Sequence, residues 1–391
     1  MKNTTEREYI VLYPEGRIDS SNAAQTEQEM FEILEANPEK TPLIDASALD
    51  YISSAGLRVL MKLQKRVKEK YTVREVSPAV YDILETTGFT EILDVRKKFR
   101  EISLDGCEVI GRGFYGTVYR LDEDTIVKMY NTPDALAMIE NEKRMAKLAF
   151  IKGIPTAISF DIIKSGDRFG SVFELLRAKT FNDLVIERPE QTEALVRDYV
   201  GFIKSVHATL MDEGTLPSAR ERFLSYLDEL KDWLSEEQIA RCRTLLLTVP
   251  EDLHVIHGDF QMKNVMIVDD EPMLIDMDTL ATGHPIFDLS GLYATYMAFE
   301  EDDPENGINF LGIDNDKCAL IWKKILEYYT EGAADAEREE TEVKIRIASY
   351  IRFLFILAVS DLKSGELGEK RIKTATRHLG ELIHKTDSLY F

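Results

Sequence analysis

Apolar and polar positions follow one rhythm in the first hundred residues and another in the rest of the chain. YIVLYPEGRID (9–19) reads as a strand or strand pair broken at Pro14 to Gly16. AAQTEQEMFEILEANP places Met30, Ile33 and Leu34 at helical spacing and stops at Asn37-Pro38. TPLIDAS reads as a short buried strand, and SSAGLRVLMKLQKRVKEK sets Leu57, Leu60, Met61, Leu63 and Val67 on a helical period. TVREV reads as a further strand, and PAVYDILETTGF starts a helix at Pro78 that stops near Gly88. Strands alternating with helices predict an α/β domain, a mixed sheet with helices packed on it.

The charged stretch RKKFREISLDG (96–106) ends in Asp105-Gly106 and divides the two patterns, which predicts domains at 1–102 and 106–391. Beyond it, residues 107–130 read as strands around a glycine-rich turn, and a helix is expected from about Asp134 to Ile151. Further strands lead to SVFELL, and from about Phe181 the pattern is helical except for a strand–loop–strand stretch at 255–276. The expectation is an α+β bilobal domain, with a small β-rich lobe at about 106–176 and a helical lobe at about 177–391.

Composition narrows the partners. The 391 residues are 44% hydrophobic, enough to bury a core, and carry a net charge of -22. So acidic a chain is a poor partner for nucleic acid or an anionic membrane surface. Cys107, Cys242 and Cys318 are far apart and odd in number, so they form neither a disulfide framework nor a CxxC metal pattern. MKNTTEREYI has no basic region followed by an apolar run, and YIRFLFILAV is too short and interrupted to span a bilayer. A cytoplasmic chain is expected, with no nucleic-acid or membrane partner.

The candidate chemistry lies in the second pattern. In IGRGFYGTVYR, Gly111, Gly113 and Gly116 form G-x-G-x-x-G, where bare backbone N–H groups can approach a phosphate. The same spacing fits a dinucleotide fingerprint, but there a helix follows, whereas TVYRL reads as strand. Lys128 in TIVKMY, twelve positions after Gly116, can reach α- and β-phosphates. The following helix offers Glu140 and Glu142 as its partner. Glu142 shares the stripe of Ile139, Met145, Ala146 and Ala149, whereas Glu140 lies with Lys143, Arg144 and Lys147 on the face expected in water. VIHGDFQMKNVMIV then sets Asp259 and Asn264 on a loop after a strand, and PMLIDMD puts Asp276 at the end of another. One acid can orient a hydroxyl and accept its proton, while the asparagine and the second acid can hold Mg2+ against the phosphates of ATP.

HGDFQMKN followed by LIDMD resembles the aminoglycoside phosphotransferase and choline kinase group of kinase-like enzymes, over roughly residues 107–391. The resemblance implies Asp259 as catalytic base, Asn264 and Asp276 as metal ligands, and Lys128 paired with Glu142. It places adenine against SVFELLRAKTF, on the backbones of Glu174 and Leu176 beside Phe173. Asp288 in HPIFDLSGL matches a family acid that orders the loop, and His257 has a structural role there. Gly258 stands where protein kinases have arginine, no Ala-Pro-Glu occurs, and Asp276 lies close to Asp288, which favours a small-molecule acceptor over a peptide.

Residues 5–100 resemble the STAS domain of anti-sigma factor antagonists, through the G-x-I-D of Gly16 to Asp19, the LIDAS strand and the SSAGL turn. By that alignment Ser54 is the phosphoacceptor, with Ser53 replacing an acidic residue often found before it. A serine at this place is either a phosphorylation site stabilised by the helix N-terminus or a helix cap. The expected function is an ATP- and Mg2+-dependent phosphotransferase acting on a hydroxyl of a small molecule, with a regulatory STAS-like domain that binds a protein partner. The rival is a regulatory protein whose kinase-like half senses nucleotide or phosphorylates a protein serine. Glu300, Glu301, Asp302 and Asp303 are either a lure for an amine acceptor or a solvated acidic loop.

Overall fold

The computed structural model describes residues 1–6, 8–67, 69–112, 116–132 and 135–391. They form two compact units, Met1–Ser103 with Ile162–Asp167, and Leu104–Asp161 with Arg168–Phe391.

The first unit is built on a mixed sheet in the order Lys2–Glu6, Tyr9–Tyr13, Thr41–Asp45, Thr72–Val76, Asp94–Lys97. The first two strands are antiparallel and the remaining pairs parallel. The chain breaks after Tyr13 because Pro14 cannot donate to the ladder and Gly16 takes φ +66°. It then runs as Gly16–Ile18 beside Leu49–Ile52. Helices Ala23–Glu35, Ser54–Arg66 and Pro78–Thr86 bury Met30, Leu60, Leu63, Val80 and Leu84 with Leu12, Ile44 and Val73 of the strands. Two strands have no apolar pattern to announce them. Lys2–Glu6 is exposed along its whole length and is held by its ladder together with exposed polar contacts, Lys2 to Glu15 at 2.6 Å and Glu6 to Arg74 at 3.2 Å. Asp94–Lys97 extends the sheet into the charged stretch that the sequence marks as a boundary; Asp94 accepts from Thr72 at 2.9 Å and Val95 packs on the core.

In the second unit, strands Glu108–Arg112, Gly116–Arg120, Thr125–Tyr130 and Arg168–Glu174 pair antiparallel, with Val118 opposite Lys128 and Lys128 opposite Ser171. Helix Leu136–Ile151 follows and buries the stripe of Ile139, Glu142, Met145, Ala146 and Ala149. Helices Thr192–His207, Ala219–Tyr226, Ile286–Tyr293, Asn315–Tyr329, Asp335–Val359 and Gly365–Leu382 share a core through Tyr199, Phe223, Phe287, Ile321, Tyr350, Phe353 and Leu379. YIRFLFILAV belongs to the core-facing half of helix Asp335–Val359. Among the described residues no helix is long and apolar enough to cross a membrane.

The strand–loop–strand stretch is fastened at both ends. Val255–Ile256 pairs with Ala281–Thr282, and Val265–Val268 pairs with Glu271–Leu274. The hairpin turn uses Asp269 and Asp270, both at positive φ (50° and 65°), as a tight turn that matches strand twist demands.

Candidate active site

The loop 257–264 is held from beneath by Asp288. Its carboxylate is fully buried and accepts from the N–H groups of His257 (2.8 Å) and Gly258 (2.6 Å) and from Nε2 of His207 (2.9 Å). The Tyr329 hydroxyl meets Nδ1 of His207 at 2.8 Å, so a neutral imidazole with its proton on Nε2 satisfies both contacts. Burial pushes the Asp288 pKa up, but the hydrogen bonds from His207 and the loop amides outweigh it, and the carboxyl stays below its usual range. His257 serves the same loop: Nδ1 accepts from the Asp259 N–H at 3.2 Å and Nε2 donates to the Ile275 carbonyl at 3.1 Å. Thr279 donates to the His257 carbonyl at 2.8 Å. Gly258 sits at φ +85°, and a Cβ there would lie 2.4 Å from the Thr279 carbonyl oxygen. No side chain fits that position, which accounts for the glycine where protein kinases carry arginine.

This frame presents Asp259 with one oxygen engaged. Oδ2 accepts from the amides of Asn264 and Gln261, each at 2.9 Å. Asn264 also donates to the Asp259 carbonyl at 2.9 Å, which turns its amide nitrogen toward Asp259 and leaves Oδ1 as its acceptor. The Ile275 N–H donates to the Asn264 carbonyl at 3.0 Å, so the next residue, Asp276, is delivered beside the loop. Asp276 takes a left-handed backbone, φ 62°, and its carboxylate is half exposed.

Lys128 bridges the two acids from the opposite side. Its ammonium lies 3.3 Å from Glu142 and hydrogen-bonds Asp276. Burial draws the Lys128 pKa down, but the carboxylates of Asp276 and Glu142 more than offset it, and the ammonium is held above its ordinary value. Glu142 is buried and also accepts from the Tyr130 hydroxyl, whereas Glu140 is exposed. Asp278 is an acid of this site that the sequence reading passed over, although LIDMD displays it. Burial pushes its carboxyl up to about 7, with the charges of Asp276 and Glu142 acting the same way against Lys128.

The phosphate-loop glycines divide. Gly116 is required by its surroundings, since a Cβ would lie 2.4 Å from the Met129 carbonyl oxygen, whereas at Gly111 it would meet Val118 at an ordinary 3.6 Å. Gly113 lies outside the described residues, as does Asp134, where the following helix was expected to start. Phe173 and Glu174 end the strand that pairs with Thr125–Tyr130; Leu176 follows, half-buried. The N–H between them, that of Leu175, is taken by the Asp124 carbonyl at 2.7 Å.

The four acids at 300–303 do not join the site as free charges. Glu300 and Asp302 are buried. Glu300 accepts from Asn306 at 2.8 Å, and Glu301 accepts from the Tyr350 hydroxyl. Asp302 accepts from Thr374 at 3.0 Å with Lys370 at 3.5 Å, and Asp303 pairs with Arg371 at 3.1 Å. The sequence alternatives of amine lure and solvated loop both give way to an internal clamp onto helix Gly365–Leu382. Ser54 is exposed at the first position of its helix, and the cap is the neighbouring Ser53, whose hydroxyl accepts from the Ala55 N–H at 3.2 Å. Gly56 allows the close turn, since a Cβ would lie 2.6 Å from Ile52 and 2.8 Å from Ile18.

Residues 106–315 match the phosphotransferase enzyme family, and residues 1–102 match the STAS domain. The chain belongs to the phosphotransferase enzyme family and carries a STAS domain in its first 102 residues. A Bordetella bronchiseptica protein named as an anti-sigma factor antagonist, BtrV, is 34% identical over 89 residues, 22% of this chain and 76% of that protein. Among solved structures, ADP-bound aminoglycoside phosphotransferase APH(2'')-Ib is 15% identical, over 77% of this chain and 98% of that one, with a TM-score of 0.46. A thermostable mutant of APH(4)-Ia in a ternary complex with ADP and hygromycin B is 13% identical, over 71% of this chain and 93% of that one, with a TM-score of 0.47.

Proposed function

We propose that the second unit transfers the terminal phosphoryl group of ATP to the hydroxyl of a small molecule, with Mg2+ as cofactor. The observation that carries this reading is the meeting of Lys128, Glu142, Asp276, Asn264 and Asp259 in one cluster. Lys128 is fixed by Glu142 and is the cation available to the nucleotide phosphates. Asp259 keeps Oδ1 free of amide partners, so that oxygen receives the acceptor hydroxyl and its proton while Oδ2 is held by Asn264 and Gln261. The donor set suits a hard cation: Asn264 Oδ1 and the Asp276 carboxylate are oxygen ligands that would hold Mg2+. The ion would supply charge neutralisation at the phosphates. Adenine would lie on the backbones of Glu174 and Leu176 beside Phe173, and the glycines Gly111, Gly113 and Gly116 would serve the phosphates. The STAS domain would act as a regulatory, partner-binding unit, with Ser54 as its modifiable residue. Phosphorus NMR of the full chain incubated with MgATP and a panel of hydroxyl compounds tests the reading. A new phosphomonoester resonance is expected with at least one compound, and ATP that remains bound but unconsumed across the panel would favour the nucleotide-sensing rival.

A further inference from the structure

The charges on the helical side of Asp259 bear on the kind of acceptor this site takes. Arg352, on helix Asp335–Val359, brings Nη2 to 3.7 Å from Asp259 Oδ1, the oxygen that neither amide occupies. Its side chain is only 14% exposed, and its guanidinium makes no hydrogen bond to another described residue. Gly291 makes room for it, since a Cβ there would lie 2.9 Å from Nη1. A second guanidinium, Arg222 of helix Ala219–Tyr226, spends one nitrogen on the Thr279 carbonyl at 2.7 Å. Burial lowers the Arg222 pKa, and the nearby positive charge of Arg352 lowers it further. The same two helices supply a stacked pair, Tyr226 on Phe355, with centroids 3.8 Å apart and planes within 14°. Arg222 with Tyr226, and Arg352 with Phe355, stand at the spacings that share a helix face. Each helix therefore turns one arginine and one ring the same way, and Arg352 brings its end of that face to the oxygen that receives the acceptor hydroxyl.

Asp259 faces Arg352 at 3.7 Å, too far for a hydrogen bond, and the charges of Asp278 and Asp288 act on Arg222, so guanidinium donors drawn out of water stay open to an anion, and the planar fork suits a carboxylate or phosphate. The acids that could have attracted an amine, residues 300–303, are committed to Asn306, Tyr350, Lys370, Thr374 and Arg371.

We infer that Arg352, with Arg222, is the anion subsite of the acceptor pocket: the acceptor is a hydroxyl compound bearing a carboxylate or phosphate, its apolar body on the Tyr226–Phe355 stack, not a cationic amine. The inference rests on the phosphotransfer reading of Asp259. An anionic oxygen could come instead from the terminal phosphate of the nucleotide, so the test separates the two sources.

The full chain is titrated calorimetrically with mandelate and phenyl phosphate as ring-bearing anions, and with 2-amino-1-phenylethanol, which carries an ammonium instead, each with and without MgADP. An anion should bind at least about tenfold more tightly than the amine, a typical worth for one desolvated charge pair. Arg352→Gln should abolish that preference and Arg352→Lys should keep part of it, with MgADP affinity the same in all three proteins. Equal or tighter binding of the amine overturns the inference, as does failure of both anions to bind. Arg352→Gln weakening MgATP but not MgADP, with anion binding intact, would assign the arginine to the nucleotide. Should the anion preference stand while MgADP fails to bind, it is the phosphotransfer reading that falls. The wild-type preference is read without any substitution, so a variant that does not fold leaves the test standing.

Discussion

Asp288 is without exposed surface yet stays ionised, because His207 and the N–H groups of His257 and Gly258 replace the water it gave up. Its folded pKa lies below its unfolded one, so its stabilisation is complete above the ordinary carboxylate range and is lost as pH falls from that range through the lower folded value. Asp288→Asn keeps one acceptor oxygen but turns an NH2 group onto donors that the other oxygen served, and urea denaturation at neutral pH is expected to read a loss of roughly 3 kcal/mol or more. The gap between variant and wild type should narrow as both are titrated below about pH 4, the range where a free aspartate protonates. Equal stability at neutral pH would mean the carboxylate does not hold the loop. Gly258→Ala is expected to cost about 2 to 3 kcal/mol in the same assay, since it adds a Cβ 2.4 Å from the Thr279 carbonyl at a left-handed φ. A loss below about 0.5 kcal/mol, within the range of an ordinary surface change, would show that the loop shifts freely.

Elements were legible in the sequence where side-chain period and burial agree. Helix Leu136–Ile151 buries the stripe that contains Glu142 and exposes Glu140, a distinction that 3.6-residue spacing makes by itself. Gly16 and Gly88 stand at positive φ where the sequence shows breaks. Lys2–Glu6 and Asp94–Lys97 were not legible as strands, because backbone pairing and polar contacts to distant residues hold them and their own side chains carry no apolar alternation. The site was legible where its residues share a motif and dark where they meet across it. His207 and Arg352 reach the loop from helices far along the chain, and nothing in their local sequence points there. The turn SSAGL is a further case, because both serines fit a cap and geometry alone gives that job to Ser53. Ser53→Ala should therefore cost about 1 kcal/mol and Ser54→Ala close to nothing by chemical denaturation. The reverse order would return the cap to Ser54. Phosphate found on Ser54 by mass spectrometry of protein from its native cells would give the exposed serine its regulatory role. Finding it after incubation of the purified chain with MgATP would favour a kinase that acts on protein.

At the scale of the whole molecule, a STAS domain and a phosphotransferase share one chain with a net charge of -22. The negative charge leaves the phosphate chemistry to a few cations placed by the fold. Lys128 sits between Glu142 and Asp276, and Arg352 beside Asp259. In this arrangement Asp276 is occupied by Lys128, so on the proposed reading nucleotide and metal would have to separate the pair before either partner could act on phosphate. The account thus makes binding depend on Asp276 and transfer on Asp259. Calorimetric titration of the full chain with MgATP tests this most directly. Wild type and Asp259→Asn are expected to bind with the same affinity, and Asp276→Ala about tenfold or more weakly, as expected for loss of a metal-ligating carboxylate. Folded wild type that takes up no MgATP, or an Asp276→Ala variant that binds it as wild type does, would contradict the account.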